Sequence, residues 1–292
     1  MNIVITGGSG FIGTELVKRL MSKHNVIVAD LRPPKVNVTY KFCDVTDALQ
    51  VNDTLHGSDL VFHLAANPDP SLATKNPRWD LRINVEGTLN VAEVCRREKI
   101  KLIFTSSAAI NYAPLSCYAI SKRAAEGYIL NNCLNGLYAV IARLNNVYGP
   151  TQPPGFVIPD LIEKLRKNPY EVYVRGTGFD LRDFVFIDDA IDALLLLAEK
   201  GESGKIYEVG TGRQVTVFEL AKLIGTLMNN IEPRVIPEKQ ITEWRREEYV
   251  QELEEIRKLG WRPKYTLEEG LRQVIIGRGR AVEPTSSEGG RV

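Results

Sequence analysis

The chain has 292 residues, 44% hydrophobic and 25% charged, enough apolar content for one large α/β domain or a domain with a lobe attached. Its 37 Lys and Arg stand against 36 Asp and Glu, so no global field draws in nucleic acid or an anionic membrane, and neither is an expected partner. Four scattered cysteines (Cys43, Cys95, Cys117, Cys133) lack a CxxC pair and three histidines (His24, His56, His63) are dispersed, which predicts free thiols in a reducing cytoplasm and no metal site.

Met1 leads straight into an apolar strand without a signal-peptide pattern. Short apolar runs then alternate with helical periodicity. NIVIT (2–6), NVIVAD (25–30), YKFC (40–43), DLVFHLA (59–65), KLIFTS (101–106) and YAVIARL (138–144) read as strands. Amphipathic stretches lie between them: one from Phe11, with Ile12, Leu16 and Leu20 at fourfold spacing, others over 74–98 and 117–133. Strands apolar on both faces that alternate with helices predict an α/β fold, a parallel sheet doubly wound by crossover helices.

After Pro150 the texture changes. GPTQPPGFVIP is a loop or domain junction, followed by helix 157–167, a strand near 171–174, helix 189–199, strand 205–209 and helix 216–228. Capping boxes are expected at Thr216–Glu219 and Thr266–Glu269. The longest aliphatic block, ALLLLA at 193–198, is too short to cross a bilayer. The expected division is 1–150 with 184–210 as the large domain and 151–183 with 211–276 as a smaller mixed α/β lobe. The aperiodic stretch 277–292 reads as a disordered tail. Asp188 and Asp189 read as helix caps, His63 as a packed strand residue, and Glu247, Glu248, Glu252, Glu254 and Glu255 as a solvated face.

TGGSGFIG (6–13) follows the first strand and opens the first helix. It parses as GxGxxG (Gly8, Gly10, Gly13) or GxxGxxG (Gly7, Gly10, Gly13), and either parse lets backbone amides approach a pyrophosphate. Asp30 ends the second strand seventeen residues beyond Gly13. A carboxylate there accepts from an adenosine ribose and repels a 2′-phosphate, which selects NAD, although Arg32 leaves room for NADP.

With CDVTD (43–47), FHLAANPD (62–69), NVEGTLNV (84–91), TSSAA (105–109), YAISK (118–122), NNVYGP (145–150), RDFVFIDDA (182–190) and LGWRP (259–263), these segments resemble the extended short-chain dehydrogenase/reductase superfamily. The resemblance is to its nucleotide-sugar epimerase/dehydratase branch and covers residues 1 to about 275. It implies a Rossmann-type sheet, an NAD cofactor, a nucleotide-sugar substrate, a substrate-binding lobe and a homodimer formed through helices near 84–98 and 118–132. By resemblance Gly7, Gly10, Phe11, Ile12 and Gly13 line the pyrophosphate turn, and Asp30 holds the ribose. Asp44 and Val45 contact adenine, while Leu64, Ala65 and Ala66 pass beneath the cofactor. Asn84 lies near the cofactor and the catalytic lysine. Ser107, Tyr118 and Lys122 form the catalytic group. Asn146, Arg175, Arg182 and Arg246 (or Arg245) fall where family members hold the nucleotide sugar.

Tyr118 and Lys122 are four residues apart, on one helical face. A phenol with a pKa of about 10 is a weak base at neutral pH, and the expectation is that the Lys122 ammonium and a nicotinamide ring lower it. Sugar 4,6-dehydratases of the branch carry an Asp-Glu pair after the serine, and decarboxylases carry a glutamate nearby. This chain has Ala108 and Ala109, which leaves 4-epimerisation of a UDP-glucose/UDP-galactose type substrate as the expected reaction. A nucleotide-4-ketosugar reductase is the alternative enzyme, and a dinucleotide-binding regulator the alternative without turnover. The chain departs from the branch in its short Ser107-to-Tyr118 connection of eleven positions, in Arg175 where an aromatic is common, and in Gln251 where an aspartate is usual.

Overall fold

The computed structural model describes residues 1–112, 115–238 and 252–280. The first half alternates as the apolar pattern requires: β1 (Asn2–Thr6), α1 (Phe11–Leu20), β2 (Asn25–Asp30), β3 (Thr39–Phe42), α2 (Ala48–Leu55) and β4 (Leu60–His63). The stretch expected as one helix over 74–98 is instead four pieces. These are α3 (Pro70–Lys75), α4 (Pro77–Leu81), a π-helical turn (Arg82–Glu86) and α5 (Gly87–Glu98). Pro77 causes the first break, because it has no N–H to continue α3 and instead starts α4. Then come β5 (Lys101–Ser107), a 3₁₀ turn (Ala108–Asn111), α6 (Cys117–Leu134), β6 (Ala139–Leu144) and β7 (Asn146–Tyr148).

The second half contains α7 (Val157–Lys167), β8 (Glu171–Val174), β9 (Leu181–Phe186), α8 (Ile187–Lys200), β10 (Ile206–Val209) and β11 (Gln214–Thr216). It ends with α9 (Val217–Asn229), β12 (Arg234–Pro237), α10 (Glu254–Lys258) and α11 (Leu267–Arg280). Seven strands form the main sheet in the order β3-β2-β1-β4-β5-β6-β10, and its pairs are parallel. On one face Val4, Val61, Leu102, Phe104 and Ile141 pack with Val51 and Leu55 of α2, Val91 and Cys95 of α5 and Ile129 of α6. Each such side chain contributes about 1.5–3 kcal/mol on burial, which is why these helices lie flat on the sheet. The winding reverses between β1 and β4, the place where open α/β sheets leave a crevice at the carboxyl ends of their strands.

The chain groups into two compact units. One comprises Met1–Val147, Arg182–Gln214 and Arg245–Lys264; the other comprises Tyr148–Leu181, Val215–Trp244 and Tyr265–Val292. In the first unit, Trp261 Nε1 donates to the Asp189 carbonyl at 3.1 Å and Lys264 N to Asp189 Oδ1 at 2.9 Å. This corrects the reading of the acidic pair as caps. Phe186 is the N-cap of α8, and the buried Asp189 carboxylate anchors the 261–264 segment instead.

In the second unit β8 and β12 pair in parallel, and both expected capping boxes form, Thr216 with Glu219 and Thr266 with Glu269. Tyr148 is buried, with its hydroxyl donating to the Leu267 carbonyl. The reading of 277–292 as a disordered tail is corrected for its first residues. Helix α11 continues to Arg280, because Gly277 packs on Pro150 and Arg278 donates to the Gln152 carbonyl. Residues 281–292 lie outside the described residues, as do Gln251, Arg245, Arg246, Glu247 and Glu248. Among the described residues no helix is long and apolar enough to cross a membrane.

Candidate functional site

The glycine turn sits at the carboxyl end of β1, at the reversal point of the sheet. Gly7 has φ +70°, and a Cβ there would lie 2.6 Å from Ala65 N, so only glycine lets the turn pass against the segment after β4. A Cβ on Gly13 would meet the Gly7 carbonyl oxygen at 2.3 Å, so α1 starts as close to the turn as a backbone can. Gly10 is the N-cap of α1. It offers no capping side chain, and the first turn of α1 contains no acid. The first amides of a helix have no intrahelical partner, so Phe11, Ile12 and Gly13 present donors and the positive end of the helix dipole to this crevice. That cradle fits a pyrophosphate.

Asp30, at the end of β2, is held by two backbone amides: Ser9 N donates to Oδ2 at 3.0 Å and Arg32 N to Oδ1 at 3.1 Å. The carboxylate is thereby fixed beside the glycine turn, with lone pairs left for a ribose hydroxyl. Asp44 accepts from both the amide and the hydroxyl of Thr46 through Oδ1, and the Val45 carbonyl accepts from Asn90 Nδ2 at 2.9 Å. Gly87, the first residue of α5, leaves room for Val45, since a Cβ there would come 2.6 Å from Val45 Cγ2. After β4, Leu64 N donates to the Thr6 carbonyl at 3.0 Å, which keeps Leu64, Ala65 and Ala66 against the turn.

Ser107 ends β5, and Tyr118 and Lys122 lie on α6, which packs over it. The Ser107 hydroxyl lies near enough to the Tyr118 phenol to favour its ionised form. Ser107 Oγ also accepts from Ala109 N at 3.2 Å and so caps the 3₁₀ turn. Lys122 is 3% exposed; its Nζ donates to the Thr105 carbonyl at 2.7 Å and lies 4.6 Å from the centre of the Phe104 ring. Burial lowers its pKa to about 8, against the opposing pull of Glu126 and then Asp80.

The expectation that Lys122 lowers the Tyr118 pKa needs correction for the protein's own groups. Burial pushes the phenol up, the nearby Ser107 hydroxyl opposes this, and Asp80 adds to the rise. The physical reason is orientation: the ammonium is spent on a strand carbonyl rather than on the phenol oxygen.

Asn84 sits in the π-helical turn, buried, at the centre of a polar cluster. Its Oδ1 accepts from Asn67 N at 2.9 Å, and its Nδ2 donates to Asp80 Oδ1 at 2.9 Å and to Ser121 Oγ at 3.0 Å. Ser121 Oγ in turn donates to the Tyr118 carbonyl at 2.9 Å. Sequence reading missed Asn67, Asp80 and Ser121. The one available signal was the i,i+4 spacing of Asp80 and Asn84, which a broken helix obscures. His63, expected as a packed residue, is buried between Thr6 Oγ1 at 2.7 Å and Thr88 Oγ1 at 3.0 Å, and burial lowers its pKa to about 3.

Of the residues expected to hold a substrate, Asn146 and Arg182 lie on neighbouring strands of the first unit. Asn146 on β7 donates to the Asp183 carbonyl at 2.9 Å, and Arg182 is half-buried on β9. Arg175, just after β8 in the second unit, is 76% exposed and lies 3.9 Å from Asp160. Arg246 is outside the described residues.

Known proteins agree with this geometry. Residues 3–210 match the NAD dependent epimerase/dehydratase family. A putative UDP-glucose 4-epimerase of Methanocaldococcus jannaschii is 32% identical over 94% of this chain and 97% of its own length. UDP-glucuronic acid decarboxylase 4 of Arabidopsis thaliana is 30% identical over 98% of this chain and 72% of its own length. The structure of UDP-glucose 4-epimerase from Thermotoga maritima, solved with UDP-glucose, superposes with a TM-score of 0.86 at 31% identity, covering 97% of this chain and all of that one. The match spans the glycine turn, Asp30 and the Ser107, Tyr118 and Lys122 group alike, so the chain belongs to the NAD dependent epimerase/dehydratase family and its cofactor is NAD.

Proposed function

We propose that the protein is a nucleotide-sugar 4-epimerase acting on a UDP-hexose of the UDP-glucose/UDP-galactose type. The observation that carries this reading is the pairing of Ser107 with Tyr118 beside a 3₁₀ turn whose first residues are Ala108 and Ala109. Proton and hydride transfer at one carbon needs a hydroxyl pair of that kind. Elimination of water needs an additional acid and base, and alanines supply neither. The same two alanines separate this chain from the dehydratase and decarboxylase patterns of the family.

NAD, when bound, would supply the hydride acceptor and later donor. Tyr118 then takes the proton of the C4 hydroxyl as that carbon is oxidised, and returns it when the ketone is reduced on its opposite face. Ser107 donates to the same oxygen and holds it in line with the phenol. Lys122, fixed by the Thr105 carbonyl, keeps a positive charge beneath the site. Asn146 and Arg182 are assigned to the sugar and diphosphate. With four free thiols, of which Cys43 and Cys95 are buried, the reading is of a cytoplasmic enzyme.

The test is to give purified protein UDP-galactose with no added reductant. UDP-glucose should appear, and Tyr118→Phe should retain NAD while losing at least ~100-fold in kcat. No conversion of UDP-galactose, with stoichiometric oxidation of NADH when a nucleotide-4-ketosugar is supplied, would favour the ketosugar reductase instead. Unchanged turnover in Tyr118→Phe removes the assigned base.

A further inference from the structure

Asp80, the fourth residue of α4, is 1% exposed. Among the described residues no Lys, Arg or His lies within ion-pair distance of it. Its Oδ1 accepts from both Asn67 Nδ2 at 2.8 Å and Asn84 Nδ2 at 2.9 Å. Burying a carboxylate without a cation is costly, and truncation to a neutral residue is the cheap alternative for a merely structural position. The hydrogen bonds run from Asp80 through Asn84 to Ser121, and from Ser121 to the Tyr118 carbonyl, so this charge is wired to the one turn of α6 that contains Tyr118 and Lys122.

We propose that Asp80 is a positioning residue whose buried carboxylate, braced by Asn67 and Asn84, holds Lys122 as an ammonium and fixes the Tyr118–Lys122 turn against β5. This rests on the reading of Tyr118 and Lys122 as the reacting pair.

The charged groups facing that pair come from each packed element. Asp80 comes from α4 and Glu126 from α6 itself, one turn beyond Lys122. His63, from β4, is held neutral by burial and by Lys122, and Arg143 comes from β6. Glu126 acts on Lys122 more strongly than Asp80 does. However, Arg143 holds Glu126 in a bidentate pair at 2.7 and 2.8 Å, which cancels part of its field. Asp80 is the carboxylate of this group with no cation of its own.

Asp80→Asn is the informative change, because both donors end on Oδ1 and the amide oxygen of asparagine can keep them. It removes the charge and leaves the shape. The readout is the titration of Lys122 followed by NMR of lysine-labelled protein, its signal identified by its absence in Lys122→Arg. In the parent the midpoint should fall near 8. In Asp80→Asn it should fall by at least ~0.5 pH unit, and Asp80→Glu should restore it. In turnover, the basic limb of the kcat pH profile should move down by the same amount, with KM changed less than kcat.

An unmoved Lys122 midpoint in Asp80→Asn, whatever happens to its thermal stability, overturns the proposal. Should Asp80→Asn not fold, Asp80→Ser decides in its place: a lowered Lys122 midpoint supports the role and an unmoved one refutes it. If the parent protein does not interconvert UDP-sugars, the proposed reaction fails, while the NMR titration still judges Asp80.

Discussion

His63 shows how far a buried side chain can depart from its sequence context. Its two ring nitrogens are taken by Thr6 and Thr88, and burial holds it neutral down to about pH 3. A histidine whose folded pKa lies below its unfolded value of about 6.5 supports the fold fully above that pH. As pH falls below 6.5 the unfolded chain takes up a proton that the folded chain refuses, so stability is lost down to about pH 3. The slope from this one group is about 1.4 kcal/mol per pH unit at most. Chemical denaturation at pH 7, 6 and 5 should show this loss, and His63→Gln should flatten it. At the same scale, Asp30 and Tyr118 could be read from motif spacing, because each is set by the chain's own register on a strand or helix. Asp80 could not, because its importance comes from two amides and a serine brought to it by other elements.

Elements add constraints that no single residue states. The glycine turn joins β1 to α1 by passing against Ala65, so Gly7→Ala strains both a φ of +70° and a contact with backbone. A loss of about 1–3 kcal/mol in unfolding free energy is expected, together with weaker NAD binding measured by quenching of intrinsic fluorescence. Helix α6 is tied to β6 by the Arg143–Glu126 pair, whose carboxylate is almost fully buried. Glu126→Gln removes the buried charge that faces Arg143 and should cost about 3 kcal/mol, read from the shift in denaturation midpoint. The break of the 74–98 stretch into α3, α4, a π turn and α5 was beyond periodicity. Apolar spacing reports a helix axis. It does not report the widened turn through which Asn84 reaches Asp80, Ser121 and Asn67 at once.

For the whole molecule, the expected homodimer is a proposal with a definite surface. The outward face of α6 presents Ile120 and Tyr128 to solvent, with Gly127 between them in open space. A mid-helix glycine costs roughly 1 kcal/mol against alanine, a cost offset where a second helix approaches closely. Equilibrium sedimentation should give about twice the 32.7 kDa chain mass, and Ile120→Glu should reduce it to one chain. The sequence by itself determined the alternation of strands and helices, the parallel sheet, the glycine turn with Asp30 and the spacing of Tyr118 and Lys122. These are properties of local periodicity and of backbone that only glycine allows. Tertiary structure alone decided that Lys122 spends its proton on Thr105, that Tyr118 is pushed up rather than down by its protein neighbours, and that an isolated carboxylate lies behind them. Burial and the direction of a side chain depend on residues far apart in the chain, and no spacing rule carries that information.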